Sequence, residues 1–210
     1  MSTTLQFHRS SEETDPEALI DQMMALDRQL YVEAAEEDLG SRGYCRELLA
    51  RCPEALSLAR SADGALAGYY QFLPITAAYR DEVLAGRVRD GEIPLAAIVP
   101  YRDRGVPYHL YLCSMAVRPE WRGRGVASRL YREEAAFQRR LALTGHRLES
   151  LVSVVWSPCG GRFFERIGLP RTGFDFGGRP VHYAELPDGL LPEIATPVSA
   201  RRAESLLQAA

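Results

Sequence analysis

The segment from Tyr108 to Leu143 restricts the folds open to this chain more than any other part of it. Tyr108 to Val117 is an apolar run with the length of a buried strand. It passes through Arg118-Pro-Glu-Trp-Arg-Gly-Arg-Gly-Val-Ala-Ser128 into a pattern of helical period from about Arg124 to Leu143. Gly123 and Gly125 let the backbone turn tightly and approach another group closely. A strand that bends directly into a long helix aims several unpaired N–H groups, and the positive end of the helix dipole, at one point. Such a point attracts anions, phosphates above all. Arg122 and Arg124 add charge, and an arginine can hold two phosphate oxygens at once. The bend is not a P-loop, because no Gly-Lys-Ser/Thr follows, nor a three-glycine dinucleotide loop. A purely structural turn remains the plain alternative.

Around this segment the pattern is mixed. Thr4 to Arg9 reads as a short strand, and Asp15-Pro16-Glu17 opens a helix that the spacing extends to about Glu37. A shorter helix spans Tyr44 to Arg51. Ala55 to Arg60 and Ala65 to Pro74 flank Ala62-Asp63-Gly64 as a β-hairpin. Thr76 caps a helix to Gly86, and Arg87 to Val106 is a long connection with one short helix. Leu148 to Trp156 is a strand, Ser157-Pro158 opens a short helix closed by Gly168, and Arg179 to Leu186 is a last strand. Thr196-Pro197 starts a terminal amphipathic helix. No repeat or composition break marks a second domain, so residues 1–186 read as one α+β domain and 187–210 as a C-terminal tail.

Apolar residues make up 46% of the 210 and charged residues 25%, a globular balance that disfavours disorder. The net charge of −3 argues against a dedicated nucleic-acid binder. Glu12 to Asp38 is acidic, with Arg28 its only base, whereas Arg118 to Arg147 is Arg-rich. Solvated helix faces explain this blandly; a polyanion site beside a region attractive to cations explains it more sharply. The chain has neither Lys nor Asn, so it can form no lysine Schiff base. Cys45, Cys52, Cys113 and Cys159 form no CxxC pair, and the four histidines lack metal-ligand spacing, so no metal is expected. Cys113, in an apolar run, reads as a buried small hydrophobe. No signal peptide or bilayer-length apolar run is apparent, which predicts a cytoplasmic protein without membrane partners.

Two stretches carry a resemblance. Arg122-Gly123-Arg124-Gly125-Val126-Ala127 resembles the acyl-CoA-binding motif of the GNAT superfamily of N-acetyltransferases, Gln/Arg-X-X-Gly-X-Gly/Ala. Ser157-Pro-Cys-Gly-Gly-Arg-Phe-Phe-Glu-Arg-Ile-Gly-Leu169 is similar, in register, to the family's Asn-X6-Phe-Tyr-Glu-Lys-X-Gly-Phe helix. Together the matches span Tyr108 to Leu169. The resemblance implies a mixed, mostly antiparallel central sheet with helices on both faces and a splay between the fourth and fifth strands. It implies acetyl-CoA as co-substrate, with Met115, Ala116 and Val117 pairing with its pantetheine arm and the amides of Arg122 to Ser128 (with Val126 and Ala127 among them) holding its pyrophosphate. It implies direct attack by a small-molecule or peptide amine, a backbone N–H near Met115 or Val117 polarising the carbonyl. No covalent intermediate on Cys113 is needed. The acceptor and the oligomeric state are left open, a homodimer among the options.

Two positions depart from the family pattern. The tyrosine that often protonates the leaving thiolate is replaced by Phe164, which has no proton to give, and the place of a glutamate base on the fourth strand is held by Tyr111. Ser157 stands where Asn is common. Water, or a hydroxyl such as Ser157, Tyr111 or Tyr183, would then move protons, or the fold would bind CoA without turnover. Acceptor-site candidates are Glu36, Glu37, Asp38, Tyr44, Tyr69, Tyr70, His109 and Tyr111, each of which could equally be surface charge or packing. Besides an enzyme, the chain could be a CoA sensor or a partner-binding protein that docks through its terminal helix.

Overall fold

A computed structural model describes residues 4–35, 38–88, 91 and 93–194. The described residues form seven strands: β1 (Gln6–Arg9), β2 (Leu56–Arg60), β3 (Leu66–Ile75), β4 (Pro107–Val117), β5 (Arg147–Val154), β6 (Arg171–Phe174) and β7 (Pro180–Glu185). They also form five α-helices: α1 (Pro16–Leu30), α2 (Arg42–Arg51), α3 (Ala77–Leu84), α4 (Val126–Leu143) and α5 (Pro158–Arg166). One open sheet has the strand order β1-β2-β3-β4-β5-β7-β6. Every pairing is antiparallel except β4 with β5.

Helices cover both faces. Leu19, Met23 and Leu26 recur at helical spacing on α1 and pack on Leu56, Leu58, Leu66, Tyr69 and Ala116. On the opposite face Leu130 and Tyr131 of α4 and Phe163 and Phe164 of α5 join Tyr70, Phe72 and Leu110 in the main core. A buried polar chain fixes the position of α4. Glu134, 0% exposed, accepts from Arg9 at 2.6 Å and Ser57 at 3.1 Å, and Gln138 bonds Glu134 at 2.7 Å and Tyr108 at 2.6 Å. Removing one partner would strand a buried charge, at a cost of about 3–5 kcal/mol. Beyond the last strand, Leu191 is buried in the main core and Pro192 accepts from the Tyr131 hydroxyl at 2.9 Å.

Three expectations are corrected. α1 ends at Leu30, not near Glu37, because Tyr31 leaves helical geometry and its hydroxyl reaches the Met115 carbonyl at 3.3 Å. The run of good helix formers beyond it is overridden by that tertiary contact. The short edge strand β6 was not foreseen, since its largely exposed residues carry no apolar alternation. Cys113 is half-buried rather than buried: Gln71 pairs with Ser114 but Phe72 with Leu112, so Cys113 is an extra residue bulging from β4. Glu36, Glu37 and the terminal helix from Thr196 lie outside the described residues. No helix among the described residues is long and apolar enough to cross a membrane.

Candidate functional site

The parallel ladder between β4 and β5 runs from Pro107↔Arg147 to Tyr111↔Val152 and stops, although both strands continue. The bulge at Cys113 begins where pairing ends, so the extra residue turns β4 away from β5. The Leu112 carbonyl, left facing the gap, accepts instead from the Ser153 hydroxyl at 2.7 Å. Past this point the Arg118 amide donates to Ala67 of β3 at 2.9 Å, and strand alternation therefore turns the backbone groups of Met115 and Val117 away from β3, toward the gap. Side chains already use two of them. Tyr31 donates to the Met115 carbonyl, and Arg122 Nε donates to the Val117 carbonyl at 3.1 Å.

The bend beyond β4 differs from every other α-helix start among the described residues. α1, α2, α3 and α5 are each capped by a side chain, from Asp15, Ser41, Thr76 and Ser157 respectively. α4 begins on Gly125, and no side chain caps it. Its first i to i+4 bond joins the Arg129 amide to the Gly125 carbonyl at 3.0 Å, so the amides of Val126, Ala127 and Ser128 precede the helical ladder. Gly123 and Gly125 adopt φ of 72° and 77°, a left-handed geometry that only glycine takes cheaply. A Cβ at either would meet no atom within 4 Å, so the bend looks onto open space. Arg122 and Arg124 are exposed; the latter stacks over Trp121 at 5.2 Å. The geometry fits a diphosphate held mainly by main-chain hydrogens.

Two clefts meet at the β4 bulge. One, about 350 Å³ counted out to open solvent, lies in the β4–β5 gap between Leu112–Met115 and Ser153–Ser157, with Phe164 of α5 in its wall. The other, about 700 Å³ on the same measure, lies under α1 and α2 and is lined by Met23, Asp27, Tyr44, Leu73 and Ile93 among others. Tyr31, Cys113, Ser114 and Trp156 line both. The bulge therefore sits at the junction.

The proposed catalytic residues divide. Ser157 is exposed, lines the gap, and its oxygen caps α5 by accepting from the Gly160 amide at 3.2 Å. Tyr111 is 1% exposed, packs in the main core and lines neither cleft. Phe164 stacks on His182 at 5.2 Å and lines the gap. Tyr183 donates to Glu185 and lines neither cleft. Of the acceptor candidates, Asp38 and Tyr44 line the larger cleft, and the Tyr44 hydroxyl accepts from the Ile93 amide at 3.0 Å. His109 is buried with its Nδ1 2.8 Å from the Ser150 hydroxyl; burial, then Arg80, holds its pKa below the usual histidine range. Tyr70 is buried, and its hydroxyl has no partner among the described residues.

One group escaped the sequence reading. Asp27, half-buried on the inner side of α1, lines the larger cleft and accepts from the Tyr69 hydroxyl at 2.5 Å. Burial pushes its carboxyl up to about 6, against the pull of that hydrogen bond. Its spacing from Met23 and Ile20 puts Asp27 near the apolar stripe of α1, but spacing alone does not separate it from a surface carboxylate.

Comparison with known proteins places the chain. The profile described as acetyltransferase (GNAT) family matches residues 20–149. No curated protein sequence matches it. Among solved structures, Ard1 from Thermoplasma volcanium aligns at 12% identity and TM-score 0.53, covering 87% of this chain and 97% of its own. A GNAT-family acetyltransferase from Staphylococcus aureus Mu50 aligns at 8% identity and TM-score 0.56, covering 87% and 99%. A chain of the NatC complex bound to Gag peptide and CoA aligns at 14% identity and TM-score 0.55, covering 88% and 99%. At such identities the likeness is one of fold.

Proposed function

The chain belongs to the acetyltransferase (GNAT) family, and from that premise we propose that it moves an acetyl group from acetyl-CoA to an amine by direct attack. The observation that carries the reading is α4, the one described α-helix without a capping side chain, which starts on left-handed glycines facing open space. In this reading the amides of Arg122 to Ser128 hold the pyrophosphate, and Met115 to Val117 offer main-chain groups to the pantetheine arm. Acetyl-CoA supplies an acyl carbon on a thiol leaving group. The chain's own residues do the rest: Met115 and Val117 present their amides to the gap, Phe164 keeps it dry on one side, and the larger cleft admits the acceptor.

A second reading, a CoA-binding protein without efficient turnover, draws on Phe164, which offers no proton where the thiol would leave. A CoA thiol leaves without help, and general acid assistance contributes typically ~10²–10⁴-fold, so its loss slows the reaction rather than ending it.

Acetyl-CoA at ~100 times its Kd should stabilise the folded state by about 2.7 kcal/mol, raising Tm by roughly 5–11 °C. An unchanged Tm at millimolar acetyl-CoA would sink the proposal. Thiol release over a panel of amines separates the two readings: binding with silence across the panel favours the sensor.

A further inference from the structure

We propose that Ser114, Tyr69 and Asp27 form a proton relay that takes a proton from a cationic primary amine seated in the larger cleft. The inference rests on the acetyl-transfer reading above and names the class of acceptor and the path of its proton. Ser114 lines both clefts, so it stands where an amine from one would meet an acyl group in the other. Its Oγ lies 3.0 Å from the Tyr69 oxygen, and Tyr69 lies 2.5 Å from Asp27 Oδ1.

The direction of these bonds follows from donor inventory. An ionised carboxylate can only accept, so Tyr69 must donate its single proton to Asp27. The Tyr69 oxygen is then left only to accept, so Ser114 must donate to it. The remaining lone pairs of Ser114 are thereby free to accept from an N–H in the cleft. Both hydroxyls point their protons the same way, toward the carboxylate. Tyr69 is 0% exposed, so no solvent competes at the middle of the relay.

The lining also selects charge. Among the described residues, the titratable groups that share the cleft with Asp27 are Tyr31, Asp38, Cys113 of β4, and Tyr44 and Cys45 of α2, with Tyr69 bonded to it. Among the described residues no Arg or His lines the cleft. Two carboxylates with no cationic side chain beside them among the described lining residues, next to aromatic and methionine side chains, suit an ammonium group on an apolar stem.

The ammonium gives one proton to Ser114, whose own proton passes to Tyr69 as that of Tyr69 passes to Asp27. The neutral amine forms the C–N bond to the acetyl carbon, the C–S bond breaks, and the second nitrogen proton leaves with the thiolate. Asp27 then releases its proton to solvent.

The test measures thiol release from acetyl-CoA with phenethylamine and isoamylamine, and with phenethyl alcohol as control, for wild type, Asp27→Asn, Ser114→Ala and Tyr69→Phe. Wild type should use both amines and not the alcohol, with kcat/KM rising along a limb centred near the Asp27 value of about 6. Asp27→Asn should lose roughly 100-fold or more in kcat/KM, and its limb should shift to the pKa of the free amine. Ser114→Ala and Tyr69→Phe should lower kcat more than they raise KM. All three variants should keep the acetyl-CoA shift in Tm, which reports an intact fold. Retention of both rate and limb in Asp27→Asn overturns the inference, as does an unchanged kcat in Ser114→Ala. Wild type that binds acetyl-CoA but acetylates neither amine also overturns it. Absence of any acetyl-CoA shift instead sinks the reading beneath it.

Discussion

In the proposed reading, the bend before α4 and the cleft under α1 would recognise charge by opposite means. The bend offers main-chain hydrogens from consecutive residues and needs no particular side chain beyond two glycines. The cleft gathers Asp27 from α1, Tyr44 from α2, Leu73 from β3 and Ser114 from β4 around one space. A backbone site is written in a few adjacent letters and tolerates wide change elsewhere. A side-chain site exists only once distant elements have docked, and each of its members can be exchanged singly. The first is suited to a fixed co-substrate and the second to an acceptor that varies.

Four substitutions bear on this contrast. The largest effect is expected from Gly125→Val, which forces a β-branched residue to φ of 77° and sets its side chain in the open space before the helix. Strain alone costs about 1–3 kcal/mol, and with lost access the acetyl-CoA affinity should fall at least ~100-fold by calorimetry. An unchanged affinity would break the comparison. Next is Asp27→Asn, read as stability. The Asp27 carboxyl titrates near 6 in the fold, above its ordinary value of 3.8, so the folded state holds the proton more tightly than the unfolded one. Ionisation therefore costs stability, nothing below about pH 4 and increasingly through pH 6. The Asn variant should melt higher at pH 8, by on the order of 1–3 kcal/mol, and equally at pH 3.5. Equal melting at both would show that the cleft does not hold a desolvated carboxylate.

Phe164→Tyr places a hydroxyl in the wall of the gap. If proton delivery to the thiol limits the rate, turnover should rise by up to ~10-fold with KM for acetyl-CoA unchanged. Smallest is Arg122→Ala. This exposed side chain already spends its Nε on the Val117 carbonyl, so acetyl-CoA affinity should drop only about two- to five-fold. A loss as deep as that of Gly125→Val would mean that side chains, not amides, dominate the bend.

What the sequence disclosed follows the same division. The strand, the glycines and the helix after them could be read directly, because period and turn chemistry are local. The α5 match was equally local, and Phe164, which it aligned with the family's tyrosine, lines the gap. Asp27 could not be read, because nothing near it in the chain distinguishes it from Asp21, its exposed neighbour on α1. The difference lies in Tyr69, 42 residues away, which turns inward to meet it. Tyr111 misled for the related reason that alignment gives a position on a strand but not the space in front of it. The end of α1 was misjudged because Tyr31 answers to β4 and not to its own helix.

The surplus residue in β4 has a further consequence. With Cys113 removed, Leu112 and Ser114 would become neighbours in uninterrupted alternation, and each would keep the side of the sheet it now occupies. The core would lose only the half-buried Cys113 side chain that packs at its margin. The two parallel strands could then close like a zip past Tyr111, filling the space that separates them. If the proposed function holds, a single deletion would thus yield a folded protein with nowhere to react: the length of one strand, more than the identity of any residue in it, would keep the gap open.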